Sequence, residues 1–213
     1  MLTLYDYPPS QNAYKVRLLL HHLQQPYRTR LVSIFEGEGQ SDEFLARNPT
    51  GAVPVLELDD GRALPESNAI LTYLAEGTAY LPQDPWARAQ VFRWMYFEED
   101  YIQNGIATLR HWAMTGKIAR RSREQVEMKQ AASRKALGIL DRWLTNREFL
   151  TDVGYTIADI CVFAYVSRAD EAGIALREYP SVAAWVDRVR AQPRFLHEVA
   201  GYASDPHSCR ELP

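Results

Sequence analysis

Cysteine is scarce in this chain, with only Cys161 and Cys209 among 213 residues. Neither belongs to a Cys-x-x-Cys pair or to a metal-ligand spacing, which excludes a disulfide framework and points to a reducing compartment. Long apolar runs are missing as well, and none approaches the length needed to span a bilayer. The opening "MLTLYDY" alternates like a strand and has no basic stretch leading into an apolar one, so a cytoplasmic location is expected. Charge of one sign is not in excess: 24 Lys and Arg stand against 27 Asp and Glu, a net −3. That balance gives no electrostatic footprint for nucleic acid. The single basic cluster, Lys117 to Arg123, is short, lacks interleaved aromatics and reads as an interhelical loop. The five histidines form no His-Glu-x-x-His pattern, and the neighbours His21 and His22 point in different directions on a helix, so no metal is expected.

What is present is ample apolar content, 46% of residues, enough for a sizeable core. "LTLYD" reads as a strand, and "NAYKVRLLLHHL" carries Val16, Leu19, Leu20 and Leu23 at the spacing of an amphipathic helix. "PYRTRLVSI" reads as a second strand. A short helix over "SDEFLAR" follows, and then a hairpin of "VLEL" and "RAL" turning at Asp60-Gly61. "SNAILTYLA" makes a further helix. Residues 1–77 thus form a β-α-β-α-β-β-α unit with a mixed sheet. Residues 78–85, with their prolines, have the composition of a linker. Everything in 86–213 reads as helical, including one long or kinked aromatic-rich helix from Trp86 and a helix over "TIADICVFAYVSRADEAG" that is apolar nearly all round from Ile160 to Val166. "TIAD", Thr156 to Asp159, is a Thr-x-x-Asp version of the capping box.

Four features fall together in the first unit: the helix start "SQNAYK", the strand-opening Val-Pro, the hairpin, and "PES" before a helix. Pro54 stands at the mouth of a strand, where its missing N–H confines it to a strand start or an edge, and Val53 before it can offer its backbone to an extended ligand. Glu66 and Ser67 open a helix, whose N–H groups and dipole favour a carboxylate. Ser10 sits between the first strand and first helix, where an N-cap is the local alternative, and Asn12 follows two residues on.

This constellation resembles the glutathione transferase family over most of the chain, in the serine-type "S-x-N-x-x-K" variant associated with bacterial members. The resemblance implies a thioredoxin-like N-terminal domain followed by an all-helical domain that binds substrate and dimerises. Glutathione is then the co-substrate, with no metal, and the partner is a small apolar electrophile. The Val53-Pro54 bond is expected to be cis, with Val53 and Pro54 at the cysteinyl part of glutathione and Glu66 and Ser67 at its γ-glutamyl end. Ser10 is expected to donate a hydrogen bond to the sulfur, with Asn12 sharing the task; Tyr7, the alternative donor, is also a candidate substrate contact. Along the long helix Tyr101, Asn104 and Thr108 are implied to line the substrate pocket. Many members place a basic residue or glutamine directly before Val-Pro, whereas this chain has Ala52, which leaves Gln40 or Arg47 to receive the glycyl carboxylate. A transferase-fold protein without catalysis and a glutathione-dependent peroxidase or isomerase are the competing readings.

Overall fold

A computed structural model of the chain describes residues 1–197 and 200–212. They divide into two compact units, Met1–Glu76 with Arg194–Pro213, and Gly77–Pro193. The segment from Arg194 groups with the first unit, whereas the sequence places it with the helical domain. No local pattern announces this return, because the contacts that hold it are long-range.

The first unit follows the expected order. Strand β1 (Leu2–Asp6), helix α1 (Gln11–His22), strand β2 (Tyr27–Leu31) and short helix α2 (Asp42–Leu45) precede β3 (Val55–Glu57), β4 (Ala63–Pro65) and helix α3 (Ser67–Ala75). The sheet order is β2-β1-β3-β4. β1 runs parallel to β2 and antiparallel to β3, with Leu4 opposite both Thr29 and Leu56. Alternation along β1 divides the core between the two sheet faces. Leu4 packs with Val16, Leu20, Leu56 and Ile70, whereas Tyr5 packs with Val32, Phe44 and Val55. The hairpin turns at Gly61, whose φ of 84° is a conformation glycine adopts without a Cβ penalty.

The second unit is helical: α4 (Pro85–Phe97), a π-helical stretch (Glu98–Ala107), α5 (Thr108–Met114), α6 (Arg123–Leu144), α7 (Ile157–Val166) and α8 (Pro180–Arg190). All ten residues of α7 are buried. The box at its start is complete: the Asp159 carboxylate accepts from the N–H groups of Thr156 and Leu150, each at 3.0 Å, and from the Trp185 indole at 2.9 Å. Burial pushes the Asp159 carboxyl up to about 6 against the lowering effect of these donors. Among the described residues no helix is long and apolar enough to cross a membrane.

Candidate functional site

The turn from β1 into α1 is held from below by charge. Arg17 forks onto both oxygens of buried Asp6, at 2.6 and 2.5 Å, and reaches the Pro8 carbonyl at 2.9 Å. Ser10 N–H closes the turn on the Tyr7 carbonyl at 2.8 Å. Ser10 is the N-cap of α1, its oxygen accepting the Ala13 N–H at 3.2 Å. A hydroxyl has one proton and two lone pairs, so capping leaves the O–H free to donate elsewhere. Asn12 lies half-buried in the first turn of α1. Gln11 beside it is 1% exposed, and neither atom of its amide has a protein partner among the described residues. The sequence reading passed over Gln11, since a glutamine in a first helical turn reads as solvated.

The Val53-Pro54 peptide is cis. Ladder pairing begins one residue later, with Val55 opposite Tyr5 and Pro65, and among the described residues no protein group pairs with the Val53 N–H or carbonyl. The approach to this open edge is fixed by buried Asn48, a second residue the sequence reading missed. Its amide donates to the Ala52 carbonyl at 2.8 Å and accepts from the Thr50 N–H and hydroxyl. Gly51, at φ 70°, is required twice: a Cβ there would run into the Gln40 side chain and the Gly39 carbonyl. Gln40 is thereby brought beside the entry to the edge. Arg47, the other candidate for the glycyl carboxylate, is committed elsewhere, to Glu57 at 2.8 Å and to the Glu43 carbonyl at 2.8 Å.

Glu66 precedes α3 with φ 71° and ψ 111°, a conformation that costs a non-glycine residue about 1–3 kcal/mol and persists only where the surroundings enforce it. It leaves the Glu66 side chain exposed and the Ser67 hydroxyl buried. Behind Ser67 stands Lys15, fully buried, whose ammonium approaches the Ser67 oxygen at 3.5 Å. A buried cation under the N-terminus of a helix adds to the attraction for a carboxylate arriving there.

Tyr7 is engaged. Its hydroxyl donates to Asp205 at 2.9 Å, and burial together with this carboxylate raises its pKa. Its ring meets Phe35 edge-on at 5.8 Å and Tyr202 at 6.1 Å, in a cluster against which Val53 packs.

Tyr101, Asn104 and Thr108 belong to the second unit. Tyr101 stacks on Phe97 at 4.9 Å. Asn104 donates to the Asp100 carbonyl at 3.2 Å, and Thr108 to the Gln103 carbonyl, five residues back, at 3.1 Å. The three- and four-residue spacing that groups them in the sequence presumes an α-helix, whereas the π-helical turn shifts the faces. Ile102 and Ile106 are buried, and Tyr101 and Asn104 are exposed.

Comparison with known proteins agrees with this geometry. Residues 4–79 match the family profile "Glutathione S-transferase, N-terminal domain" and residues 88–193 match "Glutathione S-transferase, C-terminal domain". The crystal structure of a glutathione S-transferase from Pseudomonas fluorescens Pf-5 is 40% identical, with a TM-score of 0.89 over 92% of this chain and 97% of that one. A glutathione transferase from Pseudomonas putida, solved with one glutathione disulfide bound per subunit, is 26% identical, with a TM-score of 0.78 over 91% and 88%. The disulfide-bond oxidoreductase YfcG of Escherichia coli K12 is 28% identical over 91% of this chain and 92% of its own length. With both halves matched and a relative this similar along nearly its full length, the chain belongs to the glutathione S-transferase family.

Proposed function

We propose that the protein is a cytoplasmic glutathione transferase of the serine type, which lays glutathione along the Val53 edge and presents its sulfur as a thiolate to a small apolar electrophile. The observation that carries this reading is the open Val53 backbone, together with a capped Ser10 whose proton is left to donate. The cysteinyl part of glutathione pairs with Val53 as an added strand would. Its γ-glutamyl carboxylate meets the N-terminus of α3 with Ser67 and, behind it, Lys15, while the exposed Glu66 carboxylate accepts from the ammonium. Gln40 receives the glycyl end.

Ser10 then lowers the thiol's pKa. A free thiol near ~8.5 is only a few per cent ionised at neutral pH, and lowering it by about two units takes roughly 2.7 kcal/mol. A hydrogen bond to a charged acceptor contributes about 1.5–3 kcal/mol, and the N-terminus of α1 a further ~0.3–1 kcal/mol. No general base is needed, because the serine stays protonated and acts as donor. Titrating the thiolate absorbance of bound glutathione tests this: a bound pKa roughly one to two units below the free value is expected, and an unshifted one would overturn the mechanism.

The disulfide-bond oxidoreductase among the relatives supports a second reading, in which the same thiolate reduces disulfides or peroxides. Cys161 is buried in α7 of the second unit and no cysteine stands near the first helix in the sequence, so this reading too takes the bound glutathione as its nucleophile. Assaying 1-chloro-2,4-dinitrobenzene beside a hydroperoxide and a small disulfide separates the two readings.

A further inference from the structure

Gln11 is the first residue of α1 and is 1% exposed, and neither its amide nitrogen nor its amide oxygen has a hydrogen-bond partner among the described residues. An amide closed off in this way has given up water and gained nothing, so it weighs against the folded state, and buried polar groups in that condition are rare enough to need a cause. Helix formation does not supply one. Ser10 already caps α1, its oxygen accepting the Ala13 N–H at 3.2 Å, and leucine or methionine would fill a similar volume without burying a polar group. Placement does supply one. Side chains on a helix lean toward its N-terminus, so that of Gln11 leans toward the end of α1 that Ser10 caps. Residues four apart are neighbours on one face of a helix, which sets Gln11 one turn ahead of Lys15, whose buried ammonium stands 3.5 Å from the Ser67 oxygen. Along α1, Gln11 therefore lies between Ser10 and the contact of Lys15 with Ser67.

We infer that Gln11 is a further glutathione-binding residue, whose amide, unpaired within the protein, donates to the γ-glutamyl carbonyl of the ligand. This rests on the proposed function, which puts the sulfur at Ser10 and the γ-glutamyl carboxylate at Ser67 and Lys15. The γ-glutamyl carbonyl joins those two ends, and it is an acceptor that the reading leaves without a partner: the cysteinyl N–H and carbonyl pair with Val53, the ammonium with Glu66 and the glycyl end with Gln40. A side-chain NH2 supplies the donor that this carbonyl lacks. Both amide atoms of Gln11 are closed off, so the side chain reaches the ligand by a change of rotamer, and the ligand selects that rotamer by offering a hydrogen bond that the closed one does not make. Gln11 thus destabilises the protein without ligand and stabilises the complex. It also favours a thiol that carries a γ-glutamyl group over one that does not.

The test compares the full chain with Gln11→Met and Gln11→Leu by a thermal melt without ligand and by calorimetric affinities for glutathione and for cysteinylglycine, which has the thiol but no γ-glutamyl group. Both variants are expected to melt at or above the parent, because a stranded amide has been removed. Glutathione should bind about five- to tenfold more weakly, the scale of one lost hydrogen bond, and the preference for glutathione over cysteinylglycine should fall by the same factor. The pKa of the bound thiol should stay that of the parent, which separates Gln11 from Ser10. Parental glutathione affinity in both variants, or equal weakening of the two thiols, would overturn the inference while leaving glutathione binding by the parent intact. A lower melt in both variants would overturn it too, since it would mean that Gln11 is held by a partner inside the fold. Failure of the parent protein to bind glutathione would overturn the proposed function, and this inference with it.

Discussion

The Ser10 oxygen accepts the Ala13 N–H while its proton remains available, so Ser10→Ala removes a helix cap and a thiolate donor in one step. The two effects separate by choice of substitution. Glycine caps nearly as well as serine, at a cost of a few tenths of a kcal/mol, whereas alanine costs about 1 kcal/mol. Ser10→Gly and Ser10→Ala are therefore expected to raise the pKa of bound glutathione alike, by roughly one to two units, and to slow conjugation about 10- to 100-fold at neutral pH. Only the alanine variant should show the larger drop in melting temperature. Tyr7→Phe should leave the thiolate titration in place, since the Tyr7 hydroxyl already donates to Asp205. Lys15 carries a second expectation. Replacing it by methionine removes the buried charge behind Ser67 while keeping the volume, so glutathione affinity should fall roughly tenfold, about 1.4 kcal/mol. The melt is expected to fall as well, because removing one member of a buried polar contact leaves its partners unsatisfied. A Lys15→Met protein that binds glutathione with unaltered affinity would remove Lys15 from the site.

Among the elements, α7 depends most on one side chain. Asp159 gathers N–H groups from Leu150, Thr156 and Trp185 onto one buried carboxylate, joining the start of the helix to the preceding loop and to α8. Asp159→Asn keeps one acceptor oxygen but turns an NH2 toward a donor, so a loss of about 2–4 kcal/mol at neutral pH is expected in a denaturant melt. The pH dependence has a definite sign. The folded-state carboxyl titrates at about 6, above its ordinary 3.8, so between these values the folded state holds more protons than the unfolded chain. Its contribution to stability therefore declines as pH rises from about 4 to 6 and levels off above that; the Asn variant should lack this component. The box was legible in the sequence because its partners lie three residues apart. So were the strand-opening Val53-Pro54 and the Glu66-Ser67 pair, which rest on local backbone chemistry. Lys15 was legible only as a motif letter, since a helical lysine ordinarily reads as solvated and its burial follows from packing with α3. The π-helical stretch Glu98–Ala107 was not legible, because periodicity arguments assume 3.6 residues per turn and a π-helical segment does not keep that count.

At the scale of the whole molecule, the contact between Tyr7 and Asp205 spans 198 positions and has no periodic or capping signature at either end. Such contacts are what a sequence reading by local rules cannot reach, and here they carry the return of the C-terminal segment to the first unit. The second unit raises the opposite question, of apolar surface left uncovered. On α4, Trp86 is 74% and Tyr96 70% exposed, large rings that lie outside the core of their own unit. Scattered exposed side chains are ordinary on a monomer, but two large aromatics on one helix are a candidate for burial against a second copy. A two-fold dimer would cover these rings on both copies at once, because a closed symmetric interface uses the same surface of each subunit. We therefore expect sedimentation at micromolar concentration to give about twice the 24.4 kDa of the chain. Trp86→Asp with Tyr96→Asp should shift that mass toward the monomer without loss of helical signal, because neither ring contributes to the buried core. A parent protein that sediments only at 24.4 kDa would count against the dimer. A dimer unaffected by the double substitution would move the interface away from α4.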